Sequence, residues 1–414
     1  MSSTLAADSP VPTSSLRQDA QLMGLIGIAH AVSHFSQLLL APLFPWLKDQ
    51  FQVSYTELGL LMSVFFVVSC VVQTVSGFLV DRWGPRPVLI AGLAMIFLAA
   101  VGYALSPSYL GLALSSVLAG IGNGVFHPVD YTLLNRRIAP HRLGHAYSVH
   151  GVTGTLGWAL APALLAPLAQ IYSWRIALLV AAAVIFVVLV VLVMNYGKLA
   201  MPRAKVDAAL AARKVGADNF GFLTIPAVWV CFTFFLLYAM AFAVIQLYAP
   251  EAARQLHGVP VSWSAMCLTI YMVASACGMA VGGFLASNPE RCVRVVAIGF
   301  SLAAMVAIVL GVANLPVWSV PVLFAIMGFT AGTAGPSRDL IVKRSTPANA
   351  SGRVYGVVYS GMDIGQAIAP AIFGGLMDTH NYSGLWVGVA VVQGLLIISA
   401  FNVVRSRREQ LQPA

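Results

Sequence analysis

Long apolar runs alternate along this chain with short polar breaks, and each is near the roughly twenty residues that a helix needs to cross a hydrocarbon layer. Six runs lie near 22–45, 57–80, 86–105, 109–132, 143–169 and 174–195. Six more lie near 223–249, 261–286, 292–312, 316–340, 353–377 and 383–404. Backbone groups inside a bilayer must be satisfied within the segment, so runs of this length are predicted as helices. The hydrophilic stretch 196–222, with Lys198, Arg203, Lys205, Arg213 and Lys214, is predicted to link two six-helix bundles, 20–195 and 223–404. Residues 1–19, polar and rich in Ser and Pro, are expected to be a disordered tail, since they lack the apolar core of a cleaved leader. Residues 405–414 are expected to form a second tail.

Composition removes the soluble alternatives. Of 414 residues, 59% are hydrophobic and 9% charged, against roughly 25% charged in a soluble domain. The net charge of +9 is scattered through short loops, not clustered as a nucleic-acid face requires, so no nucleic-acid partner is expected. Lys and Arg in the loops set orientation. With the N-terminus inside, only Lys48, Arg175 and Arg254 remain outside, so both termini are expected in the cytoplasm of a bacterial inner-membrane protein. The five cysteines have no metal-ligand spacing and mostly sit in apolar runs, as packing residues.

The halves repeat. A shift of 208 residues superposes Pro128 on Pro336, Arg136 on Arg344, Gly144 on Gly352 and Tyr147 on Tyr355. It also superposes Gly157 on Gly365, Ala161 on Ala369 and Pro162 on Pro370. Parallel repeats about an axis normal to the membrane are one known transporter architecture.

At the inner end of the second span stands Gly77-Phe-Leu-Val-Asp81-Arg82-Trp-Gly84-Pro-Arg86, a tight turn with one acid and two bases between helices. It resembles the G-x-x-x-D-R-x-G-x-R signature of the major facilitator superfamily, matching at Gly77, Asp81, Arg82, Gly84 and Arg86. The resemblance covers essentially the whole chain. It implies an all-α membrane fold of twelve helices in two pseudo-symmetric bundles, and gives Asp81, Arg82 and Arg86 the role of a conformational switch. The second-half copy, Gly283 to Ser287, has lost the acid. Gly356, Gly365, Ala369, Pro370 and Gly374 fall at the spacing of that family's antiporter motif, with a partial copy at Ser148, Gly157, Ala161 and Pro162. Gly157, Pro162, Gly356, Gly365 and Pro370 are therefore candidate helix-packing positions, where small residues permit close approach. The family's fourth-helix arginine is replaced by Ser116.

Ionisable groups within spans cost at least about 2.5 kcal/mol at the bilayer centre and usually face a cavity or a partner. His30 and His34 lie one helical turn apart, and His127, Asp130, His150, Arg338 and Asp363 are the further candidates for substrate or protons. Two histidines can begin a metal site, but no carboxylate or thiolate partner is evident, so no metal is expected. Asp130 maps by the 208 shift onto Arg338, which suggests an inter-bundle latch closing the inner gate; pairing within each half is the competing reading. Asp363, about ten residues into its helix, is expected to bind a proton or a substrate cation.

A narrower resemblance lies in His34-Phe-Ser-Gln-Leu-Leu-Leu-Ala-Pro-Leu-Phe-Pro45 and in the Gly-rich fourth span ending at His127-Pro128. These are similar to the fosmidomycin-resistance type of drug exporter, which implies proton-coupled export of small molecules, anions among the candidates. Proton-symport uptake of a small carboxylate on the same fold is the alternative. No Gly-x-Ser-x-Gly, His-Glu-x-x-His or phosphate-loop pattern is present, so neither catalytic residues nor a cofactor are expected. The expected partners are a small-molecule substrate, protons and the lipid bilayer, with the chain acting as a monomer.

Overall fold

A computed structural model describes residues 15–139, 142–201, 226–286, 290–345 and 351–411, and every described element is helical. In the first half, α1 (Leu16–Gln37) continues through a short turn into α2 (Phe44–Phe51), and α3 (Tyr55–Trp83) and α4 (Pro85–Leu105) follow. The fourth span is divided into α5 (Tyr109–Asn123) and α6 (Phe126–Arg137), and α7 (Leu143–Ile171) and α8 (Trp174–Met194) complete the bundle. The second half comprises α9 (Pro226–Leu247), a short α10 (Ala249–His257), α11 (Val261–Leu285), α12 (Cys292–Val312), α13 (Ser319–Ser345), α14 (Ser351–Asp378) and α15 (Tyr382–Leu411). Among the described residues, eleven helical segments are long and apolar enough to cross a membrane. The 28-residue α14 supplies the twelfth helix; Ser360, Asp363 and Gln366 dilute its apolar character.

Local chemistry sets the ends. α1 begins at Leu16, ahead of the expected start, because Ser15 and Gln18 form a reciprocal capping box. α3 begins with the same device at Ser54 and Glu57. Gly84 separates α3 from α4 at φ +82°, a conformation that favours glycine, and Pro85 then starts α4 with φ already suited to a helix. α15 runs to Leu411, beyond the expected end at 404, while most of the expected linker lies outside the described residues.

Lipid gives helices no hydrophobic reason to associate, so close backbone approach carries the packing. A Cβ at Gly157 would lie 2.1 Å from the Ala31 carbonyl oxygen, and one at Gly365 would lie 2.3 Å from that of Leu236. Gly120 and Gly328 repeat the pattern against Phe65 and Tyr271, at 2.6 and 2.2 Å. These crossings press α1 on α7 and α3 on α5 in the first half, and α9 on α14 and α11 on α13 at the equivalent positions of the second. The bundles meet along α3 with α14 and α7 with α11. Pro162 and Pro370 are both buried within helices of this interface, and Ser63 of α3 donates to the Ala367 carbonyl, one turn before Pro370, at 2.6 Å.

Candidate functional site

The apolar first half contains one dense polar cluster. α1 presents His30 and His34 on one face, and the break before α6 turns His127 and Asp130 toward them. His150 arrives from the second turn of α7. Gly154, also on α7, leaves the space: a Cβ there would meet both His30 and His34 at 2.8 Å. Asp130 is wholly buried, with one carboxylate oxygen 3.1 Å from His30 Nδ1 and 3.1 Å from His150 Nε2. The His30 and His150 rings stack at 3.5 Å, His34 lies 4.2 Å from His30, and His127 lies 5.4 Å from His30. Two histidines from two helices thus share one carboxylate, with His34 and His127 beside the His30 ring. Asp130 is also the acidic partner that the spacing of His30 and His34 did not reveal.

A hydrogen-bonded layer backs the cluster. Asn123 accepts from Ser33 at 2.7 Å and from Gln37 at 3.3 Å, and donates to Ser69 at 2.9 Å. Trp158 donates its indole N–H to Gln37 at 2.9 Å and stacks on His34 at 4.0 Å. These links tie α1, α3, α5 and α7 together, which fixes the orientation of the His34 ring. Gln37 and Asn123 were visible only as polar residues inside apolar runs, and nothing in the spacing marked Trp158. Ser116, at the position of the family's arginine, accepts from Tyr103 at 2.9 Å and is fully buried between α4 and α5.

From Trp158 an aromatic row crosses to the second half. Its ring meets Phe242 at 5.0 Å, Phe242 stacks on Tyr238 at 5.8 Å, and the Arg338 guanidinium lies 4.0 Å from the Tyr238 ring. The expected Asp130–Arg338 latch is not formed. The Asp130 carboxylate is engaged by histidines of its own bundle, and Arg338 packs on aromatic faces of the other. Asp363 lies apart from both, on α14, where it accepts from Gln73 of α3 at 3.2 Å.

Among the described residues, the bundles are tied by side-chain bonds at the end where α3 begins. Asp378, the last residue of α14, accepts from the backbone N–H groups of Tyr55 and Thr56 at 2.6 and 3.0 Å, and from the Thr56 hydroxyl at 2.5 Å. A carboxylate at a helix N-terminus meets unpaired N–H groups and the positive end of the dipole. Glu251 of α10 accepts from the Tyr55 hydroxyl at 3.0 Å and is held by Arg254 and Gln255. Those hydrogen bonds to Glu251 raise the Arg254 guanidinium above its ordinary value. Tyr248 adds its hydroxyl, 3.2 Å from the Tyr55 carbonyl and 3.4 Å from that of Pro370. None of Asp378, Glu251, Tyr55 or Tyr248 was singled out by a motif.

At the opposite end of α3, Gly84 makes the turn of the charged motif. Arg82 is exposed and lies over Trp83 at 5.9 Å, while Arg86 packs on Tyr196 at 4.6 Å. Gly77 is open, with nothing within 4 Å of a built Cβ. The Asp81 side chain and Gly356 fall outside the described side chains.

Comparison with known proteins places this geometry. The Bacillus subtilis (strain 168) MFS-type transporter YfnC is 32% identical over 167 residues, 39% of this chain and 40% of that protein, so the match spans less than half of each. The fosmidomycin resistance protein of Escherichia coli (strain K12) is 25% identical over 289 residues, 67% of this chain and 68% of that protein. The hexuronate transporter of Bacillus subtilis (strain 168) is 22% identical over 399 residues, 91% of this chain and 92% of that protein. A crystal structure of a bacterial homolog to the human lysosomal transporter Spinster, in its inward-facing and occupied conformation, shares the fold. Its TM-score is 0.77 at 15% identity, over 97% of this chain and 100% of that one. The family model for the Major Facilitator Superfamily matches residues 26–370 and 291–414, so the duplicated twelve-helix membrane chain with its buried histidine–aspartate cluster belongs to the Major Facilitator Superfamily of transporters.

Proposed function

We propose that this chain exports a small organic anion or drug across the bacterial inner membrane in exchange for protons. The observation that carries this reading is the buried cluster of four histidines around Asp130, joined through Trp158 and its aromatic row to Arg338 on the other bundle. Histidine on one wall and arginine on the other suit an anion held between the halves. Histidine is the side chain whose unperturbed titration falls near neutral pH, so the same wall can exchange a proton for the substrate. The similarity to a fosmidomycin resistance protein supports export.

The mechanism is alternating access, with the two halves rocking around a site near the midplane. By the Lys and Arg bias, both termini are cytoplasmic and the Asp378 end faces outward. The bonds concentrated there, and the exposure of Phe78, Tyr131 and Tyr147 toward the other end, support an inward-open state. So does the fold shared with an inward-facing structure. Asp81, Arg82 and Arg86 bias the switch, and Asp363 carries a coupling proton beside Gln73. The chain works as a monomer without a cofactor and catalyses no covalent reaction. A second reading, uptake of a small carboxylate together with protons, is favoured by the match to a hexuronate transporter over 92% of its length.

Proteoliposomes holding a trapped pH dye separate the two. Under an imposed pH gradient, a panel of phosphonates, carboxylates and lipophilic cations is added to the protein. Proton movement opposite to substrate supports export, and movement in the same direction supports uptake. Asp363→Asn keeps a polar group for Gln73, and it is expected to abolish substrate-driven proton movement while leaving substrate counterflow. Unchanged coupling in that variant removes Asp363 from the proton path. Silence across the panel with folded protein removes the exporter reading.

A further inference from the structure

We propose that His30, His127, His150 and Asp130 form a binding site for a divalent transition metal of the zinc class. The inference concerns the same cluster as the transport reading, but depends neither on transport direction nor on proton coupling.

The geometry is that of a ligand set. One nitrogen each from His30, His127 and His150 lie within 4.8 Å of one another. For three atoms so spaced, some point lies within about 2.8 Å of all of them, against about 2.0–2.1 Å for a zinc–imidazole bond, so the nitrogens are within an ångström of bonding distance, and the stacked His30 and His150 rings must turn to aim both lone pairs at one ion. The Asp130 oxygen is 3.1 Å from both His30 Nδ1 and His150 Nε2. Two atoms bound to one tetrahedral zinc lie about 3.3 Å apart, so this part of the set is already at coordination spacing. Three imidazoles and one carboxylate match a four-coordinate zinc site, and imidazole donors select zinc, copper, iron or nickel over calcium and magnesium.

The hydrogen-bond inventory points the same way. A neutral imidazole has one donor and one acceptor, and a carboxylate only acceptors. The cluster is therefore rich in lone pairs. His127 Nδ1 and Asp130 Oδ1 are buried without a hydrogen-bond partner, and His30 Nδ1 has only the Asp130 oxygen at 3.1 Å within reach. Such atoms in one place call for a ligand, because each unsatisfied buried polar group costs about 1–3 kcal/mol. A proton satisfies one lone pair, whereas a divalent cation satisfies several at once. The Asp130 carboxylate has no Lys or Arg ion pair among the described residues, so its charge is available to a metal. The half-buried His127 and the exposed Tyr131, which lies 5.3 Å from the His150 ring, mark the entry side.

The test is calorimetric titration of tag-free purified protein in detergent with zinc chloride, alongside cobalt absorption. The wild type is expected to bind one zinc ion per chain and to give the intense visible bands of four-coordinate cobalt. Affinity should fall by about tenfold or more in His150→Ala and Asp130→Asn, and stay unchanged in His145→Ala, whose ring is exposed. Asp363→Asn, remote from the cluster, should bind zinc as the wild type does even where proton coupling is lost. Absence of zinc binding by folded wild type, equal affinity in His150→Ala and Asp130→Asn, or the weak spectrum of six-coordinate cobalt each overturns the metal site. Any of these leaves the transport reading to its own assay. The cobalt spectrum of the wild type decides the matter if a variant fails to fold.

Discussion

Asn123 shows how much one side chain can hold inside a bilayer. It accepts from Ser33 and Gln37 and donates to Ser69, so its buried amide joins three helices. Asn123→Ala is expected to destabilise the protein by about 1–3 kcal/mol, the cost of leaving such partners unsatisfied. A lowered unfolding midpoint in detergent is the check; an unchanged midpoint would mean the partners re-pair among themselves. The histidines behave differently from residues placed for packing. His30, His34, His127 and His150 crowd together although neutral apolar residues would fill the same volume at less cost. That cost is the physical reason to assign the cluster a function.

At the scale of elements, glycine decides where helices touch. Gly157 and Gly365 sit at equivalent crossings, and a methyl group at either would overlap a carbonyl oxygen of the facing helix. Gly157→Ala and Gly365→Ala are each expected to destabilise by about 1–3 kcal/mol through forced separation of α1 from α7 and of α9 from α14. Gly77→Ala, in open space, should leave the unfolding midpoint unchanged while slowing transport through the switch motif. If all three variants unfold alike, close packing is not what these glycines provide. Breaks matter as much as contacts. The turn at Gly124 and Val125 divides the fourth span, and the new helix carries His127 and Asp130 in its first turn and a half.

Among the described residues of the whole molecule, the bonds between the halves gather at one end. At one end, Asp378 caps α3 of the opposite bundle while Glu251 and Tyr248 fix Tyr55, so this end must release for the halves to rock. A disulfide between Thr56→Cys and Asp378→Cys is expected to stop transport, with recovery on reduction. Continued transport by the cross-linked protein would rule out opening at this end. The Asp378→Asn variant weakens the same contact by removing charge from a helix N-terminus, worth about 0.3–1 kcal/mol at an exposed site and up to about 2 where partly buried. On the proposed orientation, its cysteine-labelling pattern should shift toward the outward-open state.

Much of this architecture was legible in the amino-acid order. The apolar runs located the twelve helices, because the bilayer imposes length and composition on each segment independently of its neighbours. The 208-residue repeat exposed the two bundles, and the i, i+4 spacing placed His30 and His34 on one face, since both are properties of a single chain segment. Contacts between segments were another matter. Asp130 and Arg338 are equivalent by the repeat, but in this structure they sit on opposite walls, each against groups of its own bundle. The union of His150 with Asp130, the aromatic row from Trp158 to Arg338, and the Asp378 cap on a helix that begins 323 residues earlier depend on how helices cross. Hydropathy and helical periodicity specify each helix and the face it offers; only packing in three dimensions decides which face meets which.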